Sequence, residues 1–124
     1  MMNITFALGA GVFGLIFALH LFAGGQSIAK PLLDQTNLNP VVRLTHYYCW
    51  HIVTISLAQL ALLFGWAAIA PNAYPLALIG TATALAFSIW GLALVVATRQ
   101  KFRHMPQGFL FLPVALLGLA GLLL

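Results

Sequence analysis

Asp34 is the only acidic residue in the chain. With five Lys or Arg beside it, charged side chains make up 5% of the sequence, while 63% is hydrophobic. An average soluble domain is about 25% charged and about 45 to 50% apolar. A domain of 124 residues exposes much of its surface and needs polar groups to cover it. This chain has too few of them, so its natural solvent is lipid. A helix that crosses hydrocarbon uses about 20 apolar residues, and four such spans fit within this length.

The same counts close off other classes. The formal net charge of +4 does not imply nucleic acid, because the basic residues are scattered or sit at loop ends, with no stripe long enough to neutralise several phosphates. A single cysteine, Cys49, excludes an internal disulfide, a paired-thiol redox centre and a Cys-rich zinc site. The apolar N-terminal stretch lacks the positive n-region of a secretory signal and exceeds a usual h-region, so it is expected to be a retained helix.

Along the chain, the first apolar run goes from Ile4 to Gly24, broken by His20, and the Gly24, Gly25 pair favours leaving a helix there. Residues 25–39 are the longest polar stretch, with room for a short interfacial helix. Asn39 and Pro40 read as an N-cap with proline at the first helical position, so a helix is expected from Pro40 to Ala70. At 1.5 Å per residue it is about 46 Å long, which places Arg43, His46, Tyr47 and Tyr48 in the headgroup region and starts the apolar part near Trp50. A turn at Pro71, Asn72 and Pro75 leads to a third span from Tyr74 to Thr98. Arg99, Lys101, Arg103 and His104 stop that span, and a last one runs from Gln107 to Leu124. The expected fold is an all-α integral membrane protein, one four-helix transmembrane domain with spans at about 4–24, 44–70, 74–98 and 107–124 and loops at 25–43 and 99–106.

Lys30 and Arg43 flank the first of those loops, Arg99, Lys101 and Arg103 lie in the second, and the turn after the second span carries no charge. By the positive-inside rule both basic loops are cytoplasmic and both termini face outward, in a bacterial-type inner membrane. Small residues at spacings of four offer close-packing ridges: Ala10, Gly14 and Ala18, then Gly80, Ala84 and Ser88, with Gly118 and Gly121 in the last span. Thr54, Ser56, Thr81, Thr83 and Ser88 can bond to carbonyls of their own helices. Gln59, near the middle of a span, calls for a partner on another helix, a water or a bound molecule, with the interhelical bond the plainer reading.

The four histidines carry the chemistry on offer, and the expected topology puts all of them toward one face. Imidazole serves as a haem or metal ligand, a hydrogen-bond donor to quinone, or a proton relay. His46 and His51 are about 140° apart around their helix and about 7.5 Å apart in height, so they cannot chelate one ion together. His51 shares a face with Tyr47 and Thr54, while His46 groups with Cys49. His20 and His51, each within two turns of the inner interface on consecutive antiparallel helices, could face each other. That pair resembles in general form the bis-histidine haem arrangement of cytochrome b-type membrane anchors, which would imply haem b; on the residues alone, His20 and His51 could hold a haem or contact a quinone headgroup, with Tyr47, Gln59 or Arg43 assisting. His46 and Cys49, at i and i+3, could contribute two ligands to a metal, and only His104 or Asp34 could supply the one or two more that a site needs. Against these stand plainer roles: structural hydrogen bonding for His20 and His51, interfacial belt positions for His46 and His104, and headgroup anchoring for the basic residues.

No acidic residue lies in any span, which disfavours a carboxylate-dependent proton-coupled exporter of the small multidrug resistance type. No P-loop, nucleophile elbow or HExxH occurs. The sequence therefore predicts an accessory or structural subunit that packs against lipid and other membrane helices, including copies of itself. A redox subunit at His20 and His51 is the alternative, and a small transporter lined by Thr54, Gln59 and Thr81 a third.

Overall fold

A computed structural model describes all of residues 1–124 as helices and connecting turns, with no strand. Helix α1 is Ile4–Leu33, α2 is Pro40–Ile69, α3 is Tyr74–Ala97 and α4 is Gln107–Leu123. The first three are long and apolar enough to cross a membrane, and α4 is a shorter apolar helix. Two starts follow from capping chemistry. Asn3 accepts from the Phe6 amide at 3.2 Å and the Thr5 hydroxyl at 2.6 Å. Asn39 accepts from the Val41 amide at 2.9 Å with Pro40 opening α2. At the other end of α3, Arg99 adopts φ 54°, and the Gln100 amide returns to the Val95 carbonyl at 3.0 Å. That is a Schellman stop built without glycine.

Consecutive helices run antiparallel and neighbour one another, and α1 also packs on α4, closing a ring of four. Asn3 ties three elements together: its amide nitrogen donates to the Ala68 carbonyl at 2.8 Å and its side chain to the Gly121 carbonyl at 3.3 Å. Both termini therefore sit at the same end as the turn at residues 70–73, and the loops at 34–39 and 98–106 sit at the opposite end.

The first helix departs from the sequence expectation. It does not stop at Gly24 and Gly25 but continues as a π-helix over Leu19–Ala29 and an α turn over Lys30–Leu33, ending at Asp34. Residues 25–33 are thus helical, and the connection to α2 shrinks to 34–39. The glycine at 24 serves close approach instead of termination: a Cβ there would stand 2.9 Å from the Trp50 ring of α2.

The core is organised around Phe64. Its ring and that of Phe13 have no exposed surface, and it meets Phe6 and Phe13 edge to face at centroid distances of 5.8 and 5.3 Å. The Phe64 ring fits between Gly9 of α1 and Gly80 of α3, where a Cβ on either glycine would come within 2.5 Å of it. The ridge on α3 is as expected, with Gly80, Ala84 and Ser88 all buried. On α1 it is displaced: Phe6, Gly9, Phe13 and Ile16 face inward, and Gly14 has open space around it. The reason is size, since the aromatic ring from α2 needs its hole at Gly9. Gly118 is packed on Thr81 and Gly121 on Phe6, while Gly91 and Gly108 bring the backbones of α3 and α4 together. At that crossing the Ser88 hydroxyl donates to the Gly108 carbonyl at 2.8 Å, across the helix pair and not, as the sequence suggests, within α3. Thr54, Ser56, Thr81 and Thr83 do bond to their own helices.

Gly80→Ala should destabilise the bundle by about 1 to 3 kcal/mol through overpacking against Phe64. Gly14→Ala should leave stability unchanged or raise it by up to about 1 kcal/mol, because nothing opposes the methyl and alanine is the better helix former. Unfolding of detergent-solubilised protein by SDS titration checks both.

Candidate functional site

The π-helical stretch of α1 lies against the first half of α2, between Tyr47 and Thr54, and this is where several candidate residues gather. In a π-helix each amide reaches back five residues, which widens the turn and shifts side chains off the α-helical register. His20 is half-buried there. Its Nε2 is 3.1 Å from the Thr54 hydroxyl oxygen and 3.2 Å from the Trp50 carbonyl oxygen. The Thr54 hydroxyl already donates to that same carbonyl at 3.1 Å, so both neighbours of Nε2 act as acceptors. Nε2 is therefore the donor, and in the neutral imidazole Nδ1 is the bare nitrogen. The imidazole also stacks on the Trp50 indole, with centroids 4.0 Å apart and planes 16° from parallel. Four groups from two helices thus form one polar knot: imidazole, indole, hydroxyl and backbone carbonyl.

His51, one residue on from Trp50, points into a different environment. Its ring meets Tyr47 edge to face at 4.6 Å, and the two line a cavity of about 190 Å³ together with Gly25, Ala29, Lys30, Leu33 and Trp50. The pairing of His51 with Tyr47 follows from their spacing of four. His20 does not line this cavity, although Trp50 belongs to both environments. The two histidines are brought close but are not turned toward a shared space.

The other candidates are dispersed. The Arg43 guanidinium donates through Nη1 to the Gln35 carbonyl at 2.8 Å, and its Nε is buried without a partner. Gln59 lies on the outer surface of α2, and the expected bond to another helix is absent, because α2 turns its Leu57, Leu60 and Phe64 inward and carries position 59 outward. His46 donates from Nδ1 to the Val42 carbonyl at 2.8 Å. His104 accepts from Arg103 Nε at 3.3 Å. His46, Cys49, His104 and Asp34 are all exposed, and no three such side chains converge to hold a metal ion. Thr54, Gln59 and Thr81 do not share a channel: Thr54 is bound to His20, Thr81 is buried with its hydroxyl returned to Ala77, and Gln59 faces out.

Two features had little signal in the sequence. Lys30 reads there as an orientation charge, yet it borders the Tyr47 and His51 cavity, because the helix continues past Gly25 and carries it there. A larger cavity, about 290 Å³, lies at the opposite end among Met1, Asn3, Phe6, Ala67, Ala70, Tyr74 and neighbours. The side chain of Asn3 is committed there to capping and to Gly121, so that cavity offers little chemistry. Comparison with known protein families, characterised proteins and solved structures finds no match to this chain.

His20→Ala should weaken the α1 and α2 pairing by about 1 to 2 kcal/mol, the sum of an interhelical hydrogen bond and an aromatic stack. Thr54→Val, which leaves the Trp50 carbonyl for the imidazole, should cost less. The same SDS titration ranks the two, and equal stability of both variants with the parent would mean that the knot contributes nothing.

Proposed function

We propose that the protein is an accessory or structural subunit of a bacterial-type inner-membrane assembly, packing its outer face against other membrane helices. Gln59 carries this reading. A primary amide in the middle of an apolar span, exposed and without a hydrogen bond of its own, is expensive in hydrocarbon and calls for a neighbouring helix. The polar groups elsewhere support it, since His20, Thr54, Ser88 and Asn3 are engaged in holding the bundle together. Lys30, Arg43, Arg99, Lys101 and Arg103 orient the basic loops to the cytoplasm and both termini outward.

A second reading rests on the cavity at Tyr47, His51 and Lys30. A phenol, an imidazole and an ammonium group at headgroup depth could donate to a quinone carbonyl. At about 190 Å³ it lies below the usual range of about 300 to 1,000 Å³ for small-molecule pockets, so a single ring fits better than a haem. A haem held by His20 would also require the Nε2 bonds to Thr54 and Trp50 to be given up, or ligation through Nδ1.

One preparation separates these readings. Extracted from its native membrane in mild detergent, the protein should migrate with a stable membrane partner or as an oligomer, with no Soret band and no stoichiometric quinone in a solvent extract. A lone monomer would refute the subunit reading, and a chromophore or bound quinone would favour the second. For the orientation, a C-terminal alkaline phosphatase fusion should be active and a C-terminal green fluorescent protein fusion dark; the reverse would invert the topology.

A further inference from the structure

The outward face of α2 has a regular pattern. Ile52, Ile55, Gln59, Leu62, Trp66 and Ile69 are spaced alternately by three and four residues, and all six are exposed. The apolar members are between 45% and 73% accessible. Such spacing marks one face of an α-helix, and it is also the spacing of the a and d positions through which a helix meets a partner in a left-handed coiled coil; what sets this face of α2 apart is the amide at its centre. Gln59 takes a central a position. Counting from Trp50, where the apolar part of α2 begins, to Ile69 at its end, it falls in the middle, about 13 Å from Trp50 and about 15 Å from Ile69 at 1.5 Å per residue. A glutamine side chain cannot snorkel over that distance to an interface. Ser56, Thr54 and Thr83, the other hydroxyls at comparable depth, return their hydrogens to carbonyls of their own helices. Gln59 is the mid-span polar group left over.

We infer that this stripe is the interface of a parallel homodimer, in which Gln59 of one copy hydrogen-bonds Gln59 of the other across a two-fold axis along the membrane normal. The inference deepens the subunit reading given above and rests on it. The occupant is a second copy because of what an amide is: one carbonyl acceptor and two N–H donors on the same group, so that it is complementary to itself. A two-fold axis along the normal places the same residue of both copies at the same depth by symmetry, and amide meets amide without further design. A partner of different sequence would need a polar group placed independently at that depth. Polar side chains at a positions fix register and oligomer state in coiled coils in this way.

The test uses the full chain in liposomes, labelled in separate batches with donor and acceptor fluorophores. Energy transfer should rise with protein-to-lipid ratio. Gln59→Leu should lower the association constant by about three- to twentyfold, the range spanned by measured interhelical hydrogen bonds in membranes, while Gln59→Asn should retain most of it. In a Cys49→Ser background, Gln59→Cys and Leu62→Cys should form disulfide-linked dimers on oxidation, and Ile79→Cys on the exposed side of α3 should not. Unchanged transfer in Gln59→Leu, or cross-linking only through α3, would overturn the proposal. A chain that stays monomeric in liposomes but co-purifies from native membranes with a different membrane protein, losing it in Gln59→Leu, would overturn the homodimer and leave the subunit reading standing. A chain that associates with nothing would overturn both.

Discussion

Hydrocarbon solvates a leucine about as well as another leucine does, so helices in lipid are held by shape and by a few polar contacts instead of by exclusion of water. In this bundle the shape is set at Phe64. Its ring enters the space that Gly9 and Gly80 leave open and meets Phe6 and Phe13 edge to face, so one side chain of α2 joins α1 and α3 at once. The fourth helix is attached by the same device in smaller form, backbone against backbone at Gly91 and Gly108 and glycine against side chain at Gly118 and Gly121. Dispersion at these contacts replaces the hydrophobic term that a soluble core would use.

Polar contacts then fix register. Asn3 ties the start of α1 to the ends of α2 and α4, Ser88 ties α3 to α4, and His20 ties α1 to α2 through Thr54 and the Trp50 carbonyl. Each uses a group that would otherwise be unpaired where water is scarce. The chain has few polar side chains, and most of those within the helices have a partner inside it. Gln59 stands out for this reason and directs attention to the outer surface of α2.

Capping chemistry was legible because it is local: Asn39 with Pro40 marked the start of α2, and the clustered basic residues marked the end of α3. Gly24 and Gly25 misled for the complementary reason. A glycine pair can end a helix or admit a neighbour, and only the indole of Trp50 lying against Gly24 distinguishes the two. The small-residue ridge was legible on α3, where Gly80, Ala84 and Ser88 are all buried, but not on α1, where spacing favoured Gly14 and the ring of Phe64 selected Gly9. At the candidate site, the pairing of Tyr47 with His51 followed from their spacing on one helix. The place of His20 did not, because the π-helix alters the register in which α1 presents its side chains.

The apolar character of the chain, the number of helices and where all four begin were already set by the sequence, because charge scarcity, apolar run length and caps are properties of neighbouring residues. Tertiary structure decided which glycines pack, which hydroxyl crosses between helices and which way Gln59 faces, because each depends on the rotation of one helix against another. That rotation is set by how Phe64 seats between two glycines from different parts of the chain, and no local pattern encodes it.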